Sequence, residues 1–144
     1  MTARAFAVID VSLLIAGLIS RRGERESATV SLIDLWLAGA IEPVVCPALI
    51  DEFERVLREK FATYIPSEDV DGYVEILASC SHMHPDPQDP PRICRDPHDD
   101  YLFALAVESG VSLVSTDRDI LETADPPCRV LGIGDFLREV RRSE

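Results

Sequence analysis

The chain has 144 residues, 47% of them hydrophobic, and its 26 acidic and 14 basic residues give a formal net charge of −12. This length and apolar content predict one globular domain over residues 1–144 and argue against disorder. The charge excludes a generally basic nucleic-acid-binding protein and a polybasic membrane-surface protein. It leaves open an enzyme that contacts nucleic acid through metal ions.

The first half of the chain predicts two strands, each followed by helices. Short apolar runs predict the strands, at residues 5–9 and 41–46. Apolar residues at helical spacing, together with capping residues, predict the helices. Their expected starting signals are Ser12, Ser27, Pro47 and Ser67.

The second half begins with a proline-rich segment, residues 82–97, which predicts a loop without regular structure across the single domain. After it come a helix ending at Gly110, a strand at 111–115, a brief helix at 120–123, a strand at 129–131 and a helix from Gly134. Because strands alternate with helices, we expect an α/β fold with a mainly parallel sheet of four to five strands and helices on both faces.

The four cysteines predict reduced thiols in a cytoplasmic protein. Cys46, Cys80, Cys94 and Cys128 are 34, 14 and 34 residues apart, which matches no zinc-ligand spacing. The longest apolar run, residues 11–19, is about half the ~20 residues that a transmembrane helix needs. We therefore expect a soluble protein.

Acidic side chains follow two of the predicted strands. Asp10 comes directly after the first strand, and Asp117 follows the strand that ends at Ser115. Ligands of open parallel sheets bind outside the carboxyl ends of the strands, so we expect these two aspartates to meet at one edge. Glu52 lies inside the helix that follows the second strand, and the acids near predicted helix starts are Asp96, Asp99, Asp100 and Asp119.

Carboxylates gathered at one edge of a sheet repel one another, raise one another's pKa and favour a bound cation. Mg²⁺ or Mn²⁺ is the natural partner because both prefer oxygen ligands and keep several waters. Such a cation polarises a phosphoryl oxygen and acidifies a water that attacks phosphorus. The residues therefore predict metal-dependent hydrolysis of phosphodiesters.

Each acid taken alone also has a structural interpretation. Asp10 and the aspartates at the helix start are residue types favoured as helix caps, and Glu52 stands on a polar helix face. Only their combination favours a site. The histidines at positions 82, 84 and 98 form no zinc pattern, and three aromatic residues are expected in the core: Trp36, Phe53 and Phe103.

Four segments in order carry a family pattern, at residues 8–14, 46–57, 95–106 and 113–121. With this spacing the chain resembles the PIN-domain nucleases, most closely the VapC-like ribonuclease toxins of toxin–antitoxin systems. The resemblance implies a three-layer α/β/α fold and an endoribonuclease that uses Mg²⁺ or Mn²⁺. It also implies an antitoxin protein as partner, and such toxins commonly dimerise.

Carried over position by position, the resemblance implies a catalytic metal site at Asp10, Glu52, Asp99 and Asp117. Asp96 and Asp119 are neighbours of this site. The resemblance leaves open whether Asp99 or the next residue, Asp100, is the metal ligand. Asp99 is favoured because it precedes Ala106 by seven positions.

Two positions depart from the family pattern. Ser12 stands where the family usually has asparagine, and Ser115 where it usually has threonine, with Thr116 beside it. The shorter Ser12 could loosen the positioning of Asp10. The alternative hypothesis is therefore a non-catalytic PIN-fold module that binds a partner protein. A phosphatase or phosphotransfer protein is less favoured because Lys60, the only lysine, is in the wrong place.

Five arginines are candidate phosphate contacts, although an ordinary surface role fits them equally well: Arg21, Arg22, Arg25, Arg95 and Arg118. Setting aside the seven acids of the candidate site leaves 14 basic against 19 acidic residues, a net charge of −5. We therefore expect RNA to be held by metal ions and a few local arginines, not by a broad positive field.

Overall fold

The computed structural model describes residues 4–143 and contains five strands. They are β1 (Ala5–Ile9), β2 (Ile41–Val45), β3 (His82–Met83), β4 (Ser112–Val114) and β5 (Val130–Leu131). All the strand pairs are parallel, and the order across the sheet is β3-β2-β1-β4-β5. The chain moves outward from β1 in both directions, so the crevice at the carboxyl end of β1 is the expected ligand position.

Helices cover both faces of this sheet in an α/β/α arrangement. They are α1 (Val11–Arg22), α2 (Ala28–Leu37), α3 (Pro47–Lys60), α4 (Ser67–Ser79), α5 (Asp100–Ser109), α6 (Arg118–Leu121) and α7 (Ile133–Arg142). A 3₁₀ turn at Pro97–Asp99 leads directly into α5. The predicted α/β fold with a parallel sheet is confirmed.

The prediction that residues 82–97 lack regular structure is wrong at both ends. His82 and Met83 form β3 and pair with the end of β2. They precede the first proline of the segment, so their backbone N–H groups remain available to the sheet. Pro97 starts the 3₁₀ turn, a position where its missing N–H costs nothing.

The predicted helix starts are correct to within a residue or two. Ser27 caps α2, since its side chain accepts the backbone N–H of Val30 at 3.2 Å, and Pro47 is the first residue of α3. Ser12 is not a cap, because α1 begins at Val11 and Asp10 occupies the N-cap position. Ser67 is likewise the first residue of α4 instead of its cap.

The core lies between the sheet and the helices, and it contains the aromatic residues expected there. Phe53 and Phe103 are fully buried, and Trp36 donates its indole N–H to the carbonyl of Cys80 at 2.9 Å. All four cysteines are free thiols, as predicted. Among residues 4–143, no helix combines the length and the apolar character needed to cross a membrane.

Gly17 allows α1 and α2 to pack in close contact. A Cβ atom at this position would lie 2.5 Å from Cγ1 of Ile33 and 2.6 Å from the carbonyl oxygen of Thr29. Both distances are shorter than van der Waals contact, and the carbonyl belongs to the α2 backbone. The close approach of the two helices therefore depends on the absence of a side chain at residue 17.

We expect Gly17→Ala to lower the free energy of unfolding by about 1–3 kcal/mol, because the added methyl group overpacks the α1–α2 contact. Alanine's higher helix propensity offsets only part of this loss. Urea unfolding followed by circular dichroism measures the change.

Gly72→Ala in α4 is the matched control. Among the described residues, no heavy atom other than those of its own helix turn lies within 4 Å of a Cβ placed there. This variant should gain about 0.5–1 kcal/mol from helix propensity alone. Equal changes in the two variants would contradict the close-packing argument.

Candidate active site

The candidate site begins where β1 and β4 end side by side. Ile9 is paired with Val114, and the backbone N–H of Asp10 donates to the carbonyl of Val114 at 2.9 Å. The parallel pairing thus extends one residue beyond β1. As a result, Asp10 and Ser115 are neighbours at the carboxyl edge of the sheet.

Ser115 joins the two aspartates that follow these strands. The residue is fully buried, and its hydroxyl donates to Oδ2 of Asp10 at 2.7 Å. The same hydroxyl oxygen accepts the backbone N–H of Asp117 at 3.0 Å. A serine therefore provides the hydroxyl that this arrangement uses, although the family pattern usually has threonine here.

Asp10 is 7% exposed and occupies the N-cap position of α1. Within the described part of the chain, its carboxylate makes no capping hydrogen bond to the first turn of α1. Burial raises the pKa of Asp10, while the Ser115 hydrogen bond and weaker contacts with Ser12 oppose that rise. The negative charge of Glu52 raises the pKa further.

Asp99 lies among four other acids. Burial raises its pKa to about 7, with further contributions from the charges of Asp10, Asp96, Asp117 and Glu52. Five carboxylates predicted as members or neighbours of one site are thus close enough to influence one another. We call these five residues the acid cluster.

Asp100 faces away from the acid cluster and has a structural role. It is 3% exposed, and its Oδ1 accepts the backbone N–H groups of Ile93 at 3.1 Å and Cys94 at 2.7 Å. Its Oδ2 lies 3.4 Å from Nε of Arg92. Asp100 therefore ties the proline-rich segment to α5, and Asp99 is the residue of the pair that meets the other acids.

Asp96 and Asp117 combine the two interpretations that the sequence left open. Oδ1 of Asp96 accepts the backbone N–H of His98 at 3.0 Å, and Oδ1 of Asp117 accepts that of Asp119 at 2.9 Å. Each residue caps a short helical turn with one carboxylate oxygen. Capping holds both side chains in place at the cluster without using their second oxygens.

Glu52 has a partner that the sequence analysis missed. The hydroxyl of Tyr101 donates a hydrogen bond to Oε2 of Glu52, which joins α3 to the first turn of α5. Burial and this hydrogen bond raise the pKa of Tyr101, so the phenol stays protonated and remains a donor. Nothing in the local pattern marks Tyr101 except its place two residues after Asp99.

The family assignment follows from a sequence match over most of these residues. The family model described as the PIN domain matches residues 7–119, which include the whole acid cluster. The chain belongs to the PIN-domain family. A search of curated proteins gave no match to this sequence.

Two solved structures share the fold of this PIN domain. One is a chain of VapBC2 from Rickettsia felis, bound to a DNA fragment from their promoter, with a TM-score of 0.59 and 9% sequence identity. The match covers 88% of this chain and 98% of the VapBC2 chain. PAE2754 from Pyrobaculum aerophilum has a TM-score of 0.63 at 14% identity and covers 96% of this chain and 90% of its own. At such low identities the likeness is one of fold.

Three of the five candidate arginines lie away from the cluster. Asp10 precedes α1, whereas Arg21 and Arg22 end it. A helix of 12 residues is about 18 Å long, so it separates these arginines from Asp10. Arg21 pairs with Asp34 at 3.0 Å, and exposed Arg25 follows in the next turn.

The other two arginines lie beside the acids. Nη1 of Arg95 is 4.0 Å from Oδ1 of Asp119, and the side chain of Arg95 is 87% exposed. Arg118 is similarly exposed and binds Glu122 at 2.8 Å. Among the described residues, neither arginine forms an ion pair with the acid cluster.

The acid cluster is not a ready-made cage for a metal ion. Over residues 4–143, no three side chains of His, Cys, Asp or Glu come together at distances suited to one ion. The donors are nevertheless all carboxylate oxygens, and their charges add to the effect of burial in raising the pKa of Asp99. This composition fits Mg²⁺ or Mn²⁺ bound by one or two carboxylates, with waters between the ion and the remaining acids.

We expect the metal-free protein to lose stability as the pH rises through the titration of Asp99. Its pKa is about 7 in the folded protein against 3.8 normally. Between these values the unfolded chain releases a proton that the folded protein keeps, so ionisation favours unfolding. Asp99→Asn should therefore raise the Tm in EDTA by about 2–8 °C at about pH 8, and much less at about pH 4.

Asp125→Asn, in an exposed turn before β5, is the control for this measurement. Thermal unfolding should give it the same Tm as the wild type across the pH range. A wild-type Tm that exceeds that of Asp99→Asn at high pH would contradict the raised pKa of Asp99.

Asp100 gives a separate prediction about stability. Asp100→Ala leaves the N–H groups of Ile93 and Cys94 without their acceptor, and we expect a loss of about 2–4 kcal/mol in the free energy of unfolding. Asp100→Asn keeps an acceptor oxygen and should lose less. Urea unfolding of both variants checks this order, and two equally small losses would contradict the proposed tie.

Proposed function

We propose that this PIN domain is a metal-dependent endoribonuclease and the toxin of a toxin–antitoxin pair. The observation that carries the proposal is the position of Asp10, which the buried hydroxyl of Ser115 holds at the end of β1. Asp99, with its pKa raised to about 7, lies within range of the Asp10 charge. Perturbed carboxylates at the switch point of a parallel sheet are typical of a catalytic site.

The residues that would hold Mg²⁺ or Mn²⁺ are Asp10, Glu52, Asp99 and Asp117. When bound, the cation would polarise a phosphoryl oxygen, acidify a water and offset the charge that gathers on the reacting phosphate. A bound cation would also offset the part of the raised pKa of Asp99 that comes from neighbouring carboxylates, because the carboxylate would then face a positive charge.

The chain's own residues set the geometry for hydrolysis. A new bond forms between a water oxygen and phosphorus as one phosphodiester P–O bond breaks, which leaves a phosphate monoester on one RNA end and a hydroxyl on the other. Ser115 fixes the orientation of Asp10, and Tyr101 fixes that of Glu52. Neutral Tyr101 donates to one carboxylate oxygen and leaves the other free.

An acidic edge also suits a protein partner with a basic segment. The chain keeps a net charge of −5 when the seven candidate acids are set aside, so a positively charged antitoxin would be attracted to this face and to its surroundings. The VapBC2 structure supports this proposal through its shared fold.

We also infer action in the cytoplasm, since all four cysteines are free thiols. Dimerisation, as in the family, is part of the same proposal.

The second candidate function is a non-catalytic module that binds a partner protein. Ser12 favours it, because this exposed serine makes only weak contacts with Asp10 where the family usually has the longer asparagine. Calorimetric titration with Mn²⁺ separates the two functions. A folded wild type that binds no Mn²⁺ would favour the module.

We expect the wild type to cleave single-stranded or structured RNA in Mg²⁺ or Mn²⁺, and Asp10→Asn and Asp117→Asn to abolish cleavage. Each substitution removes a negative charge from the acid cluster while it keeps the side-chain shape. Product formation on denaturing gels and Mn²⁺ titration measure activity and cation affinity separately.

Asp125→Asn removes one negative charge in a turn outside the cluster and should leave cleavage unchanged. Undiminished cleavage by both Asp10→Asn and Asp117→Asn would reject the assigned site. Cleavage by the wild type in EDTA would reject metal dependence.

A further inference from the structure

An open groove of about 740 Å³ adjoins the acid cluster between α3 and the start of α5. It is lined by Ala48, Asp51, Glu52, Arg55, His98 and Tyr101. We call the surface of these six residues the α3 groove. Glu52 belongs to both the α3 groove and the acid cluster, so the groove adjoins the cluster directly.

Arg55 carries the permanent positive charge among the six lining residues. It follows Glu52 by three positions on α3, so the two side chains share a helix face with Cβ atoms about 5–6 Å apart. A positive group therefore lies one helical turn from an acid of the candidate site.

The present partner of Arg55 holds it weakly. Nη1 of Arg55 lies 3.1 Å from Oε2 of Glu59, and the two side chains are 56% and 60% exposed. Exposed ion pairs of this spacing contribute little, because water competes for both charges. The guanidinium is therefore free to exchange Glu59 for a phosphate, which it can bind with two parallel hydrogen bonds.

The geometry points to the α3 groove as the subsite for the RNA segment next to the cleaved bond, with Arg55 bound to a backbone phosphate. This inference rests on the proposed ribonuclease activity. RNA carries a phosphate at every nucleotide, so a strand with one phosphate at the acid cluster must place its neighbours along an adjoining surface. The groove is within the size range of pockets that hold small ligands such as a nucleotide, about 300–1,000 Å³.

The neighbouring arginine on the same helix is not available for this role. Arg58 donates to Glu54 at 2.9 Å and to Ser67 at 2.9 Å, and it also pairs with Asp71. Three partners hold its guanidinium between α3 and α4. Arg55 has one exposed partner, so it is the α3 arginine whose guanidinium can pair with a substrate phosphate.

The test is steady-state cleavage of a fluorescein-labelled single-stranded RNA of mixed sequence in Mn²⁺. Arg55→Gln should raise KM about three- to tenfold and change kcat by less than about twofold, because it removes a binding contact away from the reacting atoms. The slope of log(kcat/KM) against log salt concentration should become shallower by about 0.7, the value for one phosphate contact on a single strand.

Arg4→Gln is the matched control. Arg4 is also 56% exposed and pairs with one carboxylate, that of Glu42 at 2.9 Å. Arg4 precedes β1, at the opposite edge of the sheet from Asp10. The Arg4→Gln substitution removes the same charge from the chain as Arg55→Gln. We expect its KM, kcat and salt slope to equal those of the wild type.

Substitution of the competing carboxylate provides the reverse test. Glu59→Gln frees Arg55 and should lower KM about two- to threefold, whereas Glu42→Gln, with the same change in charge, should not. In the Arg55→Gln background, Glu59→Gln should have no effect on KM. An equal effect in both backgrounds would mean that Glu59 acts through net charge and would overturn the role of Arg55.

The outcomes separate this inference from the proposed function. If the wild type cleaves RNA and Arg55→Gln behaves like Arg4→Gln, the subsite is wrong and the ribonuclease assignment stands. If Arg55→Gln lowers kcat at unchanged KM, the subsite is also wrong. If the wild type cleaves no RNA under any condition, both the subsite and the ribonuclease assignment are overturned.

Discussion

The parallel pairing of β1 with β4 is the constraint on which the site depends. It brings Asp10 beside Ser115, which is 105 residues later in the chain, and one buried hydroxyl then contacts both Asp10 and the backbone of Asp117. The sheet fixes where both strands end, and Asp117 is held further by the cap that it provides to α6. Asp10 is therefore held by Ser115 at the N-cap position of α1.

The acid cluster has an electrostatic cost that the rest of the fold must support. Asp99 shows this cost, since burial and four nearby carboxylates raise its pKa to about 7. Rigid anchors hold the acids together against repulsion: capping bonds at Asp96 and Asp117, and the Tyr101 hydroxyl at Glu52. The proposed Mg²⁺ or Mn²⁺ would offset part of this cost.

The proline-rich segment is a structural support for the site instead of a linker. Asp100 binds the backbone of Ile93 and Cys94, and Asp86 accepts the backbone N–H of Ala48 at the start of α3 at 2.8 Å. The segment therefore contacts both helices that border the α3 groove. The net charge of −12 is partly explained by the site, because five of the 26 acids form the acid cluster.

Local patterns in the sequence determined the α/β fold, the parallel sheet, the free cysteines and the position of Asp10 and Asp117 after their strands. These features follow from periodicity and chain order, which act over a few residues. Only the tertiary structure separated Asp99 from Asp100, found Tyr101 as the partner of Glu52 and placed Arg21 at the far end of α1. Such features depend on contacts between distant parts of the chain, 49 residues for Glu52 and Tyr101, and no local pattern records which side chains will meet there.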